Sequence, residues 1–367
     1  MNANTQVLHE LGQSLWIDNI SRETLQDGSL AKLIAEYSVT GLTSNPSIFE
    51  KAMGQGEAYD EAIADLARST SGGRGIEDLF FALAVDDLQH AADLFKPVHE
   101  ATQGVDGWVS LEVSPLLVHD TAGTIEAAAT LHSQAARKNL FIKIPGTPDG
   151  IPAIEQAIYQ GIPINVTLLF SCEHYLAAAQ AYLRGIERRL DEGKSPVVES
   201  VASLFISRWD AGVKDRVSPQ LQNRLGIAIA MRSYKAYREL LASERWQKLA
   251  AAGAHPQRLL WASTGTKDPK VPESLYVEAL AAPDTVNTMP EKTLKAFASD
   301  GRVGAPMPVD GGDAEAVLDA FRREGVDIDA LAAKLQVDGG DAFAKSWKTL
   351  LAGLADKVSQ LTTSSSR

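Results

Sequence analysis

The sequence predicts a (β/α)8 barrel, and three observations lead to this fold class. Short apolar runs bounded by turn residues recur eight times along the 367 residues. Most of these runs are followed by a stretch with apolar residues at helical spacing, an alternation that is typical of a parallel sheet. Eight such units are the number that closes a barrel. The alternative is an open doubly wound sheet, which the lack of a Gly-x-Gly-x-x-Gly turn after an early strand disfavours.

The predicted elements follow one another in a regular order. Strands are expected at 15–19, 39–46, 107–113, 140–145, 163–169, 197–205, 259–263 and 286–290. Helices are expected at 30–37, 121–138, 150–160, 172–192, 221–242 and 276–280. The helical stretches are identified by the 3.6-residue spacing of their apolar side chains, and the strands by their shortness and their breakers.

Two segments account for the length beyond the ~250 residues of a typical barrel. Residues from about 48 to 105 contain helical patterns at 58–67 and 76–94 but no clear strand, which predicts a helical insertion after the second strand. Residues from about 313 to 361 are also helical in pattern and predict a C-terminal extension. We expect residues 1–367 to form a single barrel domain.

The composition restricts the classes of partner. Apolar residues make up 45% and charged residues 22% of the chain, as in folded globular proteins. A formal net charge of −12 argues against nucleic acid and anionic membranes as partners, yet a local basic pocket could still bind a small phosphorylated substrate. No apolar stretch approaches the ~20 residues that span a bilayer, and no signal peptide is recognisable. We therefore expect a cytoplasmic protein, and the sequence leaves open whether it is a monomer or a homodimer.

Cysteine and histidine usage predicts neither a disulfide nor a metal site. The single cysteine, Cys172, excludes an intrachain disulfide, and its apolar neighbours favour a core position. The seven histidines are scattered, and no pair has metal-ligand spacing beside a carboxylate.

The fourth predicted strand carries a lysine, Lys143, among apolar residues, and Pro145 and Gly146 end it. Burial of an ammonium without a partner is costly, which favours the neutral amine, although nearby acids would oppose this effect. A neutral amine in a pocket is a nucleophile for carbonyl carbon. The alternative is a lysine that extends its charged end to water. This stretch by itself does not separate the two.

Polar residues stand at the C-terminal ends of most of the predicted strands, where parallel barrels carry their chemistry. They are Asp18, Thr43, Ser44, Asn45, Glu112, Lys143, Asn165, Thr167, Ser203 and Ser263. This set suits carbonyl chemistry. The lysine would form an imine, a carboxylate would move protons, and the amides and hydroxyls would orient the substrate.

Structural alternatives exist for several of these residues. Asp18 could cap the helix that follows it, Glu112 could pair with a neighbouring lysine, and Asn45 could be an ordinary turn residue before a proline. Asn165 and Thr167 are two residues apart on one strand and therefore face the same side, which favours a shared inward orientation.

A phosphate site is predicted beyond the sixth and seventh strands. Arg208 follows the sixth strand, and Ser263 and Lys267 follow the seventh, near the loops that bind phosphate in many barrels. Arginine can contact a phosphate with two parallel hydrogen bonds, whereas lysine acts as a point charge. The alternative for Arg208 is a solvated surface charge.

Taken together, these residues resemble the transaldolase family. The resemblance is carried by WIDN at 16–19, GLTSNPSIF at 41–49, FIKIP at 141–145 and INVTLLFS at 164–171, supported by VSLEV at 109–113 and SLFISR at 203–208. The longer chain and WASTGTK at 261–267 are similar to the longer bacterial members of that family.

The resemblance implies a cofactor-free class I Schiff-base aldolase barrel of the pentose phosphate pathway. Such an enzyme moves a dihydroxyacetone unit from sedoheptulose 7-phosphate to glyceraldehyde 3-phosphate, giving erythrose 4-phosphate and fructose 6-phosphate. It implies that Lys143 is the Schiff-base lysine and Asp18 the general acid/base. Glu112 and Thr167 would hold the water that relays protons during imine formation.

The resemblance also assigns the substrate contacts. Asn45, Asn165 and Ser203 would bind the dihydroxyacetone part and Arg208 the phosphate, with Thr43, Ser44 and Ser263 as further contacts. One departure stands out, because shorter members carry a second arginine after an Ala-Ser pair that follows the seventh strand. No arginine follows Ala262-Ser263 here, so we expect Lys267 to replace it.

Two other functions are compatible with this pattern. One is a fructose 6-phosphate aldolase-like lyase that releases free dihydroxyacetone, although relatives with that activity are much shorter. The other is a non-catalytic barrel that binds sugar phosphates, which the presence of every expected catalytic group disfavours.

Overall fold

Parallel strands close into a barrel whose order follows the chain. The computed structural model describes residues 1–54, 56–69, 75–266 and 268–364. Its barrel strands are β1 Gln13–Asp18, β2 Val39–Thr43, β3 Trp108–Glu112, β4 Leu140–Pro145, β5 Ile164–Leu169, β6 Ser200–Phe205, β7 Arg258–Ala262 and β8 Thr285–Met289. Each strand is parallel to its neighbours, and β1 pairs with both β2 and β8. The predicted (β/α)8 barrel is confirmed.

Helices connect these strands around the outside of the barrel. In chain order they are α1 Ala3–Glu10, α2 Arg22–Gln26, α3 Ser29–Tyr37, α4 Pro46–Gly54, α5 Asp60–Ser69, α6 Ile76–Ala101, α7 Thr121–Ala135, α8 Gly150–Gln160, α9 Cys172–Asp191, α10 Ser207–Val213, α11 Leu225–Ala242, α12 Glu244–Ala251, α13 Leu275–Ala279 and α14 Glu291–Asp300. A 3-10 turn at Pro115–Leu117 follows β3. Two helices, α15 Ala314–Arg323 and α16 Ile328–Ser364, come after the barrel.

The strands are apolar because both of their faces are covered, by the barrel interior on one side and by helices on the other. Trp16 on β1 shows how tightly this interior is packed. A Cβ atom at Gly41 of β2 would lie 2.5 Å from the Trp16 ring, so the glycine makes room for the indole. The indole Nε1 donates a hydrogen bond of 2.7 Å to Asp106, which fixes β1 two residues before Asp18.

Several predicted boundaries are wrong. The strand expected at 39–46 ends at Thr43, the helix expected at 121–138 ends at Ala135, and the helical pattern at 76–94 continues to Ala101. The strand expected at 197–205 begins at Ser200, because Val197 follows Pro196 and is 49% exposed outside the sheet. The helix expected at 221–242 begins at Leu225. Asn223 has a left-handed backbone with φ of 61°, which interrupts the helix before that point.

Five further helices, α1, α2, α10, α12 and α14, were not predicted. Helix α1 begins at a side-chain cap, in which Asn2 Oδ1 accepts hydrogen bonds from the backbone N–H groups of Asn4 and Thr5. The Asn2 amide also donates to the carbonyl oxygen of Ala298 in α14. These contacts join the two ends of the barrel sequence.

The helices outside the barrel repeat lie close to its C-terminal end. Helices α4, α5 and α6 lie between β2 and β3, and α16 packs against all three. Gln336 of α16 donates hydrogen bonds to the carbonyl oxygens of Gly146 and Leu168, at the ends of β4 and β5. The long last helix therefore lies beside the mouth of the barrel. That residues 1–367 form one domain stays a prediction.

In the described part of the chain, none of the helices combines the length and the apolar character that a membrane crossing requires.

A buried carboxylate caps α11 and makes the stability of this region depend on pH. Asp210 accepts hydrogen bonds from the backbone N–H groups of Leu225 and Gly226 and from the Tyr276 hydroxyl. Burial nevertheless raises the pKa of Asp210 to about 6, from an ordinary value of 3.8. The stabilisation that Asp210 contributes to the folded protein is therefore fully present below its ordinary pKa of 3.8. It is lost as the pH rises through about 6, where the buried group becomes ionised.

We expect Asp210→Asn to remove this pH dependence. The free energy of unfolding of the wild type, relative to the variant, should fall between about pH 4 and about pH 6 by on the order of 3 kcal/mol. Denaturant unfolding of both proteins across this range measures the difference. A difference that stays constant with pH would contradict the expectation.

Candidate active site

A cavity of about 390 Å³ opens at the C-terminal ends of the strands. Most of the residues selected from the sequence line it: Asp18, Thr43, Asn45, Lys143, Thr167, Ser203, Arg208 and Ser263. The closed barrel brings these side chains together although they are far apart in the chain. Convergence of polar groups on one concave site is typical of a substrate pocket.

Lys143 forms a buried ion pair with Glu112. Its Nζ lies 3.1 Å from Glu112 Oε2 and donates a hydrogen bond of 2.8 Å to the carbonyl oxygen of Ser44. Lys143 and Glu112 are each only 5% exposed. The strand register explains the contact, because Glu112 on β3 pairs directly with Lys143 on β4. The predicted solvent-directed alternative for Lys143 is therefore wrong.

The environment of Glu112 raises its pKa above the ordinary value. Burial raises the pKa of Glu112, the nearby Lys143 ammonium lowers it, and the charge of Asp18 raises it further. Among the described residues, neither Glu112 oxygen nor the buried Thr167 hydroxyl has a hydrogen-bond partner of good geometry. Buried polar atoms usually have such partners, so these atoms are available to a bound molecule.

Asp18 is held on the opposite side of the cavity by hydroxyl groups. The Thr43 hydroxyl donates a 2.8 Å hydrogen bond to Asp18 Oδ1 and lies 2.6 Å from the hydroxyl of Thr288. Asp18 and Thr43 are register partners on β1 and β2, which places them side by side. Asp18 is the last residue of its strand, so its carboxylate lies at the mouth.

Two side-chain hydrogen bonds connect β6, β5 and β3 inside the barrel. The Ser203 hydroxyl donates to Asn165 Oδ1 at 2.7 Å, and the Asn165 amide donates to the Ser110 hydroxyl at 3.2 Å. These bonds fix the orientation of the Asn165 amide. Asn165 is fully buried and lies in register with Lys143, behind the cavity lining.

The structure gives Ser44 a different position from the other predicted contacts. Its side chain donates to the carbonyl oxygen of Ser110 at 2.7 Å, is completely buried, and does not reach the cavity. Ser44 contacts Lys143 through its backbone carbonyl instead.

Arg208 lies in an aromatic setting at the cavity wall. Its guanidinium carbon is 5.3 Å from the centre of the Phe205 ring and 5.9 Å from that of Phe343. Burial lowers the pKa of Arg208, and the charge of Asp338 opposes this effect. In the described part of the chain, no hydrogen bond or ion pair engages the guanidinium. A half-buried cation with free donors suits an anionic ligand such as phosphate.

The segment after β7 is only partly described. Ser263 has a left-handed backbone with φ of 55°, and its hydroxyl lies 2.9 Å from that of Ser207. This contact joins the ends of β6 and β7 beside Arg208. Lys267, the predicted substitute for the second phosphate-binding arginine, lies outside the described residues.

Several lining residues were not selected from the sequence, among them three with polar or aromatic side chains, Thr288, Lys51 and Phe343. Thr288 is the penultimate residue of β8, and the same reasoning about strand ends could have found it. Lys51 on α4 and Phe343 on α16 also line the cavity, but only the packing of the extra helices brings them there. Nothing in their sequence neighbourhoods distinguishes them from other helical residues.

A larger groove of about 690 Å³ lies between α6 and α7, away from the strand ends. Three carboxylates, of Glu77, Asp78 and Glu126, line it, and no cation is present among its described lining residues. This charge disfavours a phosphorylated ligand, so the smaller cavity at the barrel mouth is the better candidate for catalysis. No group of three or more metal-ligating side chains occurs within the described ranges.

Comparisons with known proteins agree with this geometry. Residues 15–354 match the model of a family described as Transaldolase/Fructose-6-phosphate aldolase. The chain is 45% identical to a transaldolase of Thermobifida fusca, with 98% of each chain covered. It is 44% identical to a transaldolase of Thiobacillus denitrificans, with 95% of this chain and 98% of that one covered. A protein of Nostoc punctiforme named Transaldolase 2 is 40% identical, with 96% of this chain and 97% of that one covered.

The matches cover the barrel, the helices between β2 and β3, and most of the C-terminal helices. By this similarity, the chain belongs to the transaldolase/fructose-6-phosphate aldolase family.

Proposed function

We propose that this protein catalyses the transaldolase reaction, in which a dihydroxyacetone unit passes from sedoheptulose 7-phosphate to glyceraldehyde 3-phosphate. The products are erythrose 4-phosphate and fructose 6-phosphate. The observation that carries the proposal is a buried lysine, Lys143, whose Nζ is 3.1 Å from the Glu112 carboxylate at the floor of a polar cavity. Full-length similarity to proteins named transaldolase supports it.

In the proposed first step, the Lys143 amine attacks the ketose carbonyl carbon, and the resulting carbinolamine loses water to form an imine. Glu112 is close enough to take the proton that the lysine must lose. The unbonded Glu112 oxygens and the Thr167 hydroxyl would hold a water molecule that carries protons between the carbinolamine and the carboxylate.

In the second step, Asp18 accepts the proton of the substrate hydroxyl while the adjacent carbon–carbon bond breaks. The aldose leaves, and the three-carbon unit stays on Lys143 as an enamine. Attack of the enamine on the acceptor aldehyde reverses these events, and Asp18 returns the proton. Hydrolysis of the new imine frees the product and restores the lysine.

Substrate binding would divide between the two ends of the cavity. Asn45, Asn165 and Ser203 would orient the dihydroxyacetone part near Lys143, and the hydrogen bonds that fix Asn165 support this role. Arg208 would bind the phosphate, and we assign further phosphate contacts to Ser263 and Lys267. A local cation is needed here because the chain as a whole carries a net charge of −12.

The proposal places the protein in the non-oxidative pentose phosphate pathway of the cytoplasm, without a cofactor. Its partners would be sugar phosphates and neither nucleic acid nor membranes, and both a monomer and a homodimer are compatible with it. Transfer is favoured over release of free dihydroxyacetone because the chain matches transaldolases over nearly their whole length. A coupled assay with both sugar phosphates, together with a test for free dihydroxyacetone, separates transferase, lyase and non-catalytic binding.

The first prediction concerns the Schiff base. Borohydride with fructose 6-phosphate should attach the three-carbon unit irreversibly to Lys143 in the wild type, and peptide mass spectrometry should locate it. Lys143→Ala should lose this labelling and lower kcat by about 10³-fold or more. Labelling of the same mass in Lys143→Ala would exclude this lysine as the nucleophile.

The second prediction separates the two carboxylates by the step that each serves. Asp18→Asn should still form the imine but lower kcat by about 10²- to 10⁴-fold, because the carbon–carbon cleavage lacks its base. Glu112→Gln should instead slow imine formation itself.

Single-turnover trapping with borohydride measures imine formation, and the coupled assay measures turnover. The rate of imine formation in the wild type should also fall toward low pH, because protonation of Glu112 removes the base, and this decline should start above the pH at which an exposed glutamate titrates. Equal trapping rates in the two variants would contradict the division of roles.

The third prediction asks which lysine supplements Arg208. Lys267→Ala should raise the KM for fructose 6-phosphate several-fold with little change in kcat, because it would remove a phosphate contact. Lys51→Ala is the matched control, since Lys51 is an exposed lysine that lines the cavity. A larger rise in KM for Lys51→Ala than for Lys267→Ala would transfer the role to α4.

A further inference from the structure

One face of α16 is anchored to the mouth of the barrel at two points. Gln336 donates hydrogen bonds of 3.1 and 3.0 Å to backbone carbonyls at the ends of β4 and β5. Ten residues later, the Ser346 hydroxyl lies 2.8 Å from that of Ser47 on α4. Residues 336, 339, 343 and 346 recur at helical spacing and therefore share this face. The helix backbone between the anchors is held in place.

Gly339 lies between these anchors and faces Arg208. A Cβ atom at this position would lie 3.2 Å from Nη1 of Arg208 and 3.0 Å from Cδ2 of Leu168. Both distances are shorter than ordinary van der Waals contacts, so each of the two neighbours would have to give way by a fraction of an ångström. Leu168 is 1% exposed and enclosed by the core, whereas the guanidinium is the end of a long side chain. Arg208 is therefore the neighbour that can move further.

The next residue provides a comparison. A Cβ atom at Gly340 would meet only Cγ2 of Val118, at 4.0 Å, which is ordinary contact. Glycine inside a helix is unfavourable by roughly 0.5–1 kcal/mol relative to alanine. The open space at Gly340 gives no steric reason for glycine, while the approach of Arg208 gives one at Gly339.

Packing contacts, and not hydrogen bonds, define the surroundings of the Arg208 side chain. Its guanidinium lies near the Phe205 and Phe343 rings and against the backbone of Gly339, and in the described part of the chain no hydrogen bond fixes it. Phe343 stands one helical turn after Gly339 on the same face of α16. Removal of the Phe343 ring, or addition of a side chain at Gly339, should therefore move the Arg208 guanidinium.

We infer that Gly339 is a specificity-determining positioning residue, whose missing side chain leaves the slot that aims Arg208 at the substrate phosphate. The inference rests on the proposed role of Arg208 as a phosphate ligand. It gives the C-terminal helix a part in selecting phosphorylated over unphosphorylated sugars, although that helix lies outside the barrel repeat. The reacting groups at Lys143 lie on other elements and do not contact Gly339.

The experiment compares Gly339→Ala with Gly340→Ala in the full-length protein. Gly339→Ala should raise the KM for fructose 6-phosphate about tenfold, because displacement of a binding group by a fraction of an ångström weakens its contact. Its kcat should change less than about twofold, and trapping with unphosphorylated fructose should be unaffected. Gly340→Ala should leave all three quantities unchanged. Gly340→Ala should melt at or above the wild-type temperature, because alanine favours the helix. In Gly339→Ala the short contacts with Leu168 and Arg208 offset this gain.

Arg208→Ala distinguishes failure of this inference from failure of the proposed function. If Arg208→Ala leaves the KM for fructose 6-phosphate unchanged, the phosphate role of Arg208 is wrong. If Arg208→Ala raises that KM and a folded Gly339→Ala does not, the inference about Gly339 alone is overturned. Equal losses with fructose and fructose 6-phosphate in Gly339→Ala would also overturn it, since they indicate a general distortion.

Phe343→Leu tests the same slot if Gly339→Ala does not fold. The smaller side chain removes the ring beside the guanidinium, and the preference for fructose 6-phosphate over fructose should fall several-fold with kcat retained. An unchanged preference in a folded Phe343→Leu would count against control of Arg208 by α16.

Discussion

The ion pair between Lys143 and Glu112 is the interaction on which the candidate site depends. Two charged groups buried next to each other lose much of their hydration, and the loss of one partner typically costs about 3–5 kcal/mol. The pair therefore constrains the residues around it, and the Ser44 carbonyl accepts a further hydrogen bond from Lys143. In the proposed mechanism, the same arrangement gives the nucleophilic amine a base at 3.1 Å, so the stability of the pair and the proposed chemistry require the same positions on these strands.

The register of the strands determines how these side chains are arranged. Glu112, Lys143 and Asn165 are successive register partners on β3, β4 and β5, and they form a row across the barrel. Asp18 and Thr43 form a second register pair on β1 and β2. Because β1 to β5 are successive neighbours in the closed barrel, the two sets adjoin one another at the same end of it. In the proposed mechanism, the first set forms the imine and the second exchanges protons with the substrate hydroxyl.

The C-terminal helix completes the cavity from outside the repeating fold. Gln336 attaches α16 to strand ends, and Phe343 supplies part of the wall beside Arg208. The proposed catalytic groups are thus carried by the strands, while the surroundings of the proposed phosphate ligand come partly from an added element. Such a division would let the chemistry stay constant while the phosphate end varies.

The sequence by itself determined the fold class and the polar strand ends, because strand period, breakers and alternation are local properties of the chain. Lys143, Asp18 and Glu112 could be selected for the same reason. Their distances, the register and the absence of a hydrogen-bond partner for Arg208 within the described ranges were decided by the tertiary structure. Lys51, Phe343 and Gly339 could not be found from the sequence, since helices acquire a functional face only when they pack against the barrel.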